Sequence, residues 1–283
     1  MQDYAPKIFH EYIPSNSGIK KAIKKGRFII DGKIAQTGTW IQKGQQIVLI
    51  ASNESSQKVY EFPLKVLFED ETMAAILKPS GIKVSGNSFK TIANALLFNL
   101  NSSKEPDALS KPTPVHRLDS PTSGILLVAK TKTAQISLGK QFEDNLLQKQ
   151  YTAIVQGEIH SKVKIETPID GKEAETAFEI LQVVKSLKYD QLSFLKVTPK
   201  TGRTHQIRIH LASIGHPIIG DKLYGDPNQN RSTGKGLFLS ATQITFLHPK
   251  TKEQTTVEID VPTKFTSLMN REQKRYSSNI LRE

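Results

Sequence analysis

In the stretch HRLDSPTSGILLVAK, residues 116–130, three ionisable side chains stand at the mouth of an apolar run. His116, Arg117 and Asp119 come first, Gly124 follows, and Ile125, Leu126, Leu127, Val128 and Ala129 complete it. If 114–120 is extended, side chains two apart share a side, so Arg117 and Asp119 point one way and His116 and Leu118 the other. ILLVA is apolar at both parities, the pattern of a strand covered on both faces in the middle of a sheet. Charge at the end of such a strand is costly unless water or a partner compensates it. A cleft at the strand mouth accounts for the placement, and so does a structural Arg–Asp pair.

Two further stretches carry chemistry-capable residues. In TGRTHQIRIHLASIG, Ile207, Leu211 and Ile214 recur at i, i+4 and i+7, one apolar helix stripe, and Gly215 with His216-Pro217 stops the helix. Thr204 and Arg208 are one turn apart beside the stripe, so Arg208 can emerge at a cleft. Arg203 and His205 stand near the helix start, where anions are attracted; Arg203 could equally brace the turn. KQYTAIVQG, 149–157, alternates as a strand, with Tyr151 at its beginning and Lys149 beside it as a possible phosphate contact. His116, facing away from Asp119, suits packing or hydrogen bonding better than proton transfer. The histidines, His205 and His210 included, lack a compact metal-ligand signature such as HExxH.

The elements that hold these residues belong to a chain of 283 residues, about two domains' worth. Hydrophobic residues are 37% and charged ones 23%, a globular profile. No apolar run nears the ~20 residues of a membrane span, and the opening residues do not read as a secretory leader. Without cysteine the chain has no disulfides and no thiolate chemistry, which fits a cytoplasmic location. Net charge is +12, a balance that favours a polyanionic partner, nucleic acid first.

LKVLFED and TMAAILK read as two strands joined by an acidic turn, closed by Lys78-Pro79-Ser80-Gly81. SFKTIANALLFNL has helical periodicity, and 101–114 has loop composition. Near the start, Ile19, Ala22 and Ile23 form the apolar side of a short helix capped by Ser17, ringed by Lys20, Lys21, Lys24 and Lys25. Gly26 ends it, and Asp31-Gly32 is a hairpin turn signal. The order of basic helix, glycine, RFIID, DGK turn and KGQQIVLI resembles the small RNA-binding domain named after ribosomal protein S-four. That family often begins the helix with Ser-Arg, whereas here it reads Ser17-Gly18.

HRLD, two residues, then TSG and an apolar strand resembles the signature of the RluA-type pseudouridine synthases. LFEDETMAAILKPSG, KQYTAIVQG and VTPKTGRTHQIRIHLASIGHPIIGDKLYG resemble three more of that family's stretches, so the likeness runs from about 64 to 262. One departure follows the Lys-Pro turn, where the family commonly has His-Pro and this chain has Ser85-Gly86.

The resemblance implies an α+β fold: a mixed, largely antiparallel central sheet with flanking helices, behind a small N-terminal α/β RNA-binding domain. The expected divisions are 1–52 for that domain, 53–63 for a linker, 64–265 for the catalytic domain and 266–283 for a C-terminal tail, docked as a helix or frayed. The implied activity is isomerisation of uridine to pseudouridine in RNA without metal or cofactor. It implies Asp119 as the essential carboxylate, attacking C1′ or removing a sugar proton. Arg208 would pair with it, Tyr151 would lie against the base, and Arg117 would fill the gap left by the flipped uridine. The implied partner is RNA, ribosomal ahead of transfer RNA, for a monomer with no obligate protein partner. A rival reading is an RNA-binding or ribosome-assembly protein on a synthase scaffold.

Overall fold

The computed structural model describes residues 5–9, 12, 13, 15–50, 59–159, 163–225 and 236–281. The chain divides into two compact units, Met1–Lys58 and Val59–Glu283. Of the expected linker 53–63, residues 53–58 lie outside the described residues.

The first unit contains α1 (Ala5–Phe9), α2 (Asn16–Lys24) and a three-stranded antiparallel sheet. Its strands are β1 (Phe28–Ile30), β2 (Lys33–Ile34) and β3 (Ile47–Leu49), with β1 in the middle. Ile19, Ala22 and Ile23 bury against Phe28 and Ile30, while Lys20, Lys21, Lys24 and Lys25 stay exposed. The cap is Ser15 rather than Ser17: its Oγ accepts from the Gly18 N–H at 3.1 Å. Two serines only two residues apart offered the same signal, and the helix simply starts earlier.

The second unit is built on a ten-stranded sheet. Its first half holds β4 (Lys65–Glu69), β5 (Met73–Lys78), α3 (Ile92–Asn99), β6 (Ala108–Pro114), β7 (Ser123–Thr131) and α4 (Lys132–Glu143). The second half holds β8 (Gln148–Gln156), β9 (Val163–Ile165), β10 (Thr176–Ser186), β11 (Asp190–Pro199), α5 (Gln206–Ser213), β12 (Leu239–Leu247), β13 (Gln254–Glu258) and α6 (Thr263–Ile280). The strand order is β4-β5-β7-β12-β8-β11-β10-β9, with β13 against β12 and β6 against β7. The ladders are antiparallel except at β7/β12, so the sheet is mixed and largely antiparallel, as expected of the fold class. Among the described residues no helix is long and apolar enough to cross a membrane.

The expected loop 101–114 is corrected, because 108–114 pairs with β7 as β6. Its prolines, Pro112 and Pro114, give it loop composition, but on an edge the missing N–H groups need no partner. The expectation for ILLVA holds: β7 lies between β5 and β12 and is buried from Gly124 to Thr131. Alternate residues feed two cores. Ile125 and Leu127 pack with Met73, Leu138 and Phe246, and Leu126 and Val128 with Ile76, Ile92 and Leu96. A third core joins β8 and β11 to α5 and α6. The helix α6 runs across the expected 265/266 division, and its Phe265, Leu268 and Met269 belong to that third core.

The parallel seam explains the glycine of TSG. Ser123 and Gly124 pair with Ser240 and Ala241. A Cβ on Gly124 would stand 2.2 Å from the Ala241 carbonyl oxygen, and its φ of +124° already suits only glycine. The two halves of the sheet close where a side chain is missing.

Candidate active site

The HRLD segment belongs to no strand. Residues 115–122 form an irregular connection between β6 and β7 rather than a strand, but the division of side chains read for 114–120 is kept, with His116 and Leu118 packed and Arg117 and Asp119 at a cleft. Several carbonyls of this connection are claimed from outside the strand ladders. Lys78 Nζ donates to the carbonyls of Ser120 and Thr122 at 3.1 and 2.7 Å, and to that of Pro79 at 3.0 Å. Gly81 N–H also donates to Ser120, Ser80 Oγ to Pro121, and Thr122 N–H to Asp119. The Lys-Pro-Ser-Gly turn after β5 therefore straps the loop that carries Asp119. Burial pushes the Lys78 ammonium down to about 8, with the Asp119 charge opposing.

The four side chains of HRLD nevertheless part company. Leu118 joins the core beside Leu126 and Val128. The His116 ring stacks on Phe142 with centroids 4.4 Å apart, and its Nε2 accepts from the Leu127 N–H at 3.0 Å. Burial, aided by the Lys149 charge, pulls His116 down to about 3, so it stays neutral. Arg117 is exposed and Asp119 half-buried on a cleft of about 610 Å³. Tyr151, Lys149, Arg203, His205 and Arg208 line the same cleft.

Arg208 is the hub. From α5 its Nε and Nη2 donate in parallel to the two carboxylate oxygens of Asp221, at 2.7 and 2.8 Å, and its Nη1 reaches Asp119 Oδ2 at 3.0 Å. The Arg208 side chain is 3% exposed, that of Asp221 0% and that of Asp119 21%. One carboxylate is thus sealed in as the anchor and the other faces the cleft. Burial opposes the Asp221 charge, but Arg208 and the N–H groups of Leu223 and Tyr224 outweigh it and hold the carboxyl below its ordinary value. Burial likewise opposes the Arg208 cation, and its two carboxylates more than offset that, so it is raised. Tyr224 lies under the guanidinium at 5.1 Å, and its hydroxyl is 2.9 Å from His205 Nδ1. His205 Nε2 stands 3.7 Å from Asp119 Oδ2.

Tyr151 comes from β8, as the fourth of its nine residues rather than at its beginning. It pairs with Ala241 of β12, which pairs with Gly124 of β7. One cross-strand row therefore ties the tyrosine to the strand that follows Asp119. Burial first, and the Asp119 charge second, push its phenol up, so it remains protonated at neutral pH. Lys149 Nζ donates to the Thr201 carbonyl at 3.1 Å, and Arg203 Nε to the Glu173 carbonyl at 2.8 Å. Both brace the loop 200–205 while still lining the cleft. Thr204 lies in the turn before α5, not on the helix. His210 faces elsewhere, toward Thr176 Oγ1 and the Thr167 carbonyl. Lys20, Lys21, Lys24 and Lys25 belong to the first unit, on and just after α2.

Sequence reasoning does not reach Asp221, Tyr224 and Lys78 as site residues. The signals for the first two are their place in the family-like stretch IIGDKLYG and a carboxylate two residues past Ile219, which needs a cation once buried. Chemically, the arrangement offers one positioned carboxylate, an uncharged aromatic face and an exposed guanidinium around an open cleft.

Residues 72–213 match the family model described as RNA pseudouridylate synthase. The chain is 32% identical over 281 residues to an uncharacterised RNA pseudouridine synthase of Aquifex aeolicus, covering 90% of this chain and 88% of that one. It is 32% identical to the ribosomal large subunit pseudouridine synthase D of Nitrosomonas europaea, covering 90% and 79%. Among solved structures, the human RNA pseudouridylate synthase domain containing 1 superposes with a TM-score of 0.59 at 25% identity, over 71% of this chain and 84% of that one. The matched span contains both Asp119 and the arginine that pairs with it, and the relatives extend the likeness along nine tenths of the chain: the protein belongs to the RNA pseudouridylate synthase family and is an isomerase.

Proposed function

We propose that the protein converts uridine to pseudouridine in large-subunit ribosomal RNA, with Asp119 as the carboxylate that acts at the sugar. The observation that carries this reading is the Asp119–Arg208 contact of 3.0 Å at the floor of an open cleft. The reaction breaks the N1–C1′ bond, turns the base and joins C5 to C1′. A carboxylate beside the sugar serves either route, attack at C1′ or removal of a sugar proton. Arg208, held rigid by Asp221, keeps Asp119 in one orientation.

A uridine stacked in RNA must be extruded to reach that depth. Arg117, exposed at the mouth, supplies a planar group to occupy the vacated stack. Tyr151, uncharged and half-buried, supplies an aromatic face for the base, a contact worth about 1–3 kcal/mol. Lys149, Arg203 and His205 add positive or hydrogen-bonding character along the RNA path. The exposed Lys20, Lys21, Lys24 and Lys25 support reading the first unit as an S-four-like RNA-binding domain.

The ribosomal choice rests on relatives such as the ribosomal large subunit pseudouridine synthase D above and the synthase C of Pasteurella multocida, 36% identical over 78% of this chain and 72% of that one. The test is tritium release from RNA labelled at uridine C5, with ribosomal and transfer RNA in separate reactions. Release from ribosomal RNA is expected; release from transfer RNA alone would overturn the substrate.

A further inference from the structure

A second cleft of the catalytic unit lies far from Asp119. It has a volume of about 520 Å³ and runs between the β10–β11 hairpin and α6. Lys188 comes from the hairpin, and Arg271, Lys274 and Arg275 from one face of the helix. The carboxylate lining it, Glu272, is 3% exposed. Its oxygens are already engaged, Oε2 by Ser186 Oγ at 2.8 Å and Oε1 by Arg271 at 3.2 Å, with Arg275 Nη1 also 3.9 Å from Oε1. Among the described lining residues the groove thus sets three cations of the helix, Arg271, Lys274 and Arg275, and Lys188 of the hairpin against one carboxylate.

Its location adds information. The strand β11 begins at Asp190, in the hairpin, and ends at Pro199, which lines the catalytic cleft. At ~3.3 Å per residue the two clefts lie roughly 30 Å apart. The apolar side of α6, Phe265, Leu268 and Met269, is locked into the core, so the cationic face is held in a fixed orientation. Lys185 Nζ, 5.4 Å from the Tyr276 ring centre, extends the same basic surface.

We propose that this groove binds the phosphate backbone of the substrate RNA at a point remote from the target uridine. The proposal rests on the ribosomal-RNA reading above. It means that the enzyme measures its substrate at two places, which requires structured RNA extending about ten base pairs or more from the modified position. An acidic protein is the competing occupant; the family's RNA chemistry and the net charge of +12 favour RNA.

The test is a triple variant, Lys188→Gln, Lys274→Gln and Arg275→Gln, which removes the 3.9 Å Arg275–Glu272 contact but leaves the shorter Arg271–Glu272 pair in place. It is compared with wild type on a long ribosomal RNA fragment and on a short stem-loop holding only the target uridine. A KM at least tenfold higher on the fragment, with kcat and the stem-loop rate unchanged, is expected. On the fragment, the slope of log K against log salt should shrink by about 2 to 3. Unchanged KM and slope, or equal losses on both RNAs, would overturn the proposal, the first outcome leaving an acidic protein as occupant. If wild type modifies no ribosomal RNA, the substrate reading has failed by itself. The groove is then judged on binding to a plain RNA duplex of about twenty base pairs, where an unchanged salt slope rejects it.

Discussion

Arg208 grips Asp221 through two parallel hydrogen bonds of 2.7 and 2.8 Å, wholly out of solvent. That grip leaves one nitrogen, Nη1, for Asp119. Asp221 touches neither the mouth of the cleft nor its aromatic face, so it is a positioning residue for the arginine. Replacing it by asparagine leaves Arg208 with one charged partner and a freer side chain. Asp221→Asn should lower kcat by about 10- to 100-fold with little change in KM, since only the alignment of Asp119 suffers. It should also destabilise the fold by about 3 kcal/mol, the cost of breaking a buried pair. Steady-state kinetics beside a urea unfolding curve check both; a raised KM with unchanged kcat would assign Asp221 to RNA binding instead.

Gly124 should tolerate no side chain. A methyl there meets the Ala241 backbone at 2.2 Å in a φ region hostile to alanine. Gly124→Ala is expected to cost more than about 4 kcal/mol, because neither backbone can withdraw from the seam. Gly139, inside α4, has nothing within 4 Å of the place a Cβ would take. Gly139→Ala should therefore stabilise by about 0.5–1 kcal/mol. Thermal melting of the two variants side by side tests the contrast, and equal shifts would refute the seam argument.

His116 makes stability fall in acid. Its pKa is held at about 3 in the folded protein, against ~6.5 unfolded. Below about pH 6.5 the unfolded chain takes up a proton that the folded ring refuses. The contribution is thus intact above that pH and is lost as pH falls toward 3. Between pH 7 and 5 the loss is about 2 kcal/mol. His116→Gln, which keeps an acceptor for the Leu127 N–H, should reduce the loss by that amount. Urea midpoints at the two pH values decide it, and an identical loss in the variant would clear His116 of the effect.

Local patterns are readable in the sequence and long-range partners are not. The apolar run of β7 announces a strand covered on both faces because each of its parities feeds a separate core, one through Leu127 and one through Leu126. The stripe Ile207, Leu211 and Ile214 locates α5 for the same reason. Asp119 and Arg208, by contrast, are 89 residues apart, and no spacing rule couples them; their pairing comes from resemblance. Asp221 escapes notice because a lone aspartate after two isoleucines reads as a turn until its burial is known. The strap from Lys78 is hidden in the same way, since its acceptors are backbone carbonyls and carry no residue signature. Proline content disguises β6 as loop, while its edge position makes the prolines harmless.

The most direct test of the central claim is single-turnover tritium release by Asp119→Asn beside wild type, on whichever RNA the wild type modifies. Asparagine keeps the shape of the side chain and removes its charge. The account predicts a rate at least about a thousandfold lower, with RNA binding retained. A variant that binds RNA and isomerises within tenfold of wild type would contradict it, and the chemistry would then belong to another group in the cleft.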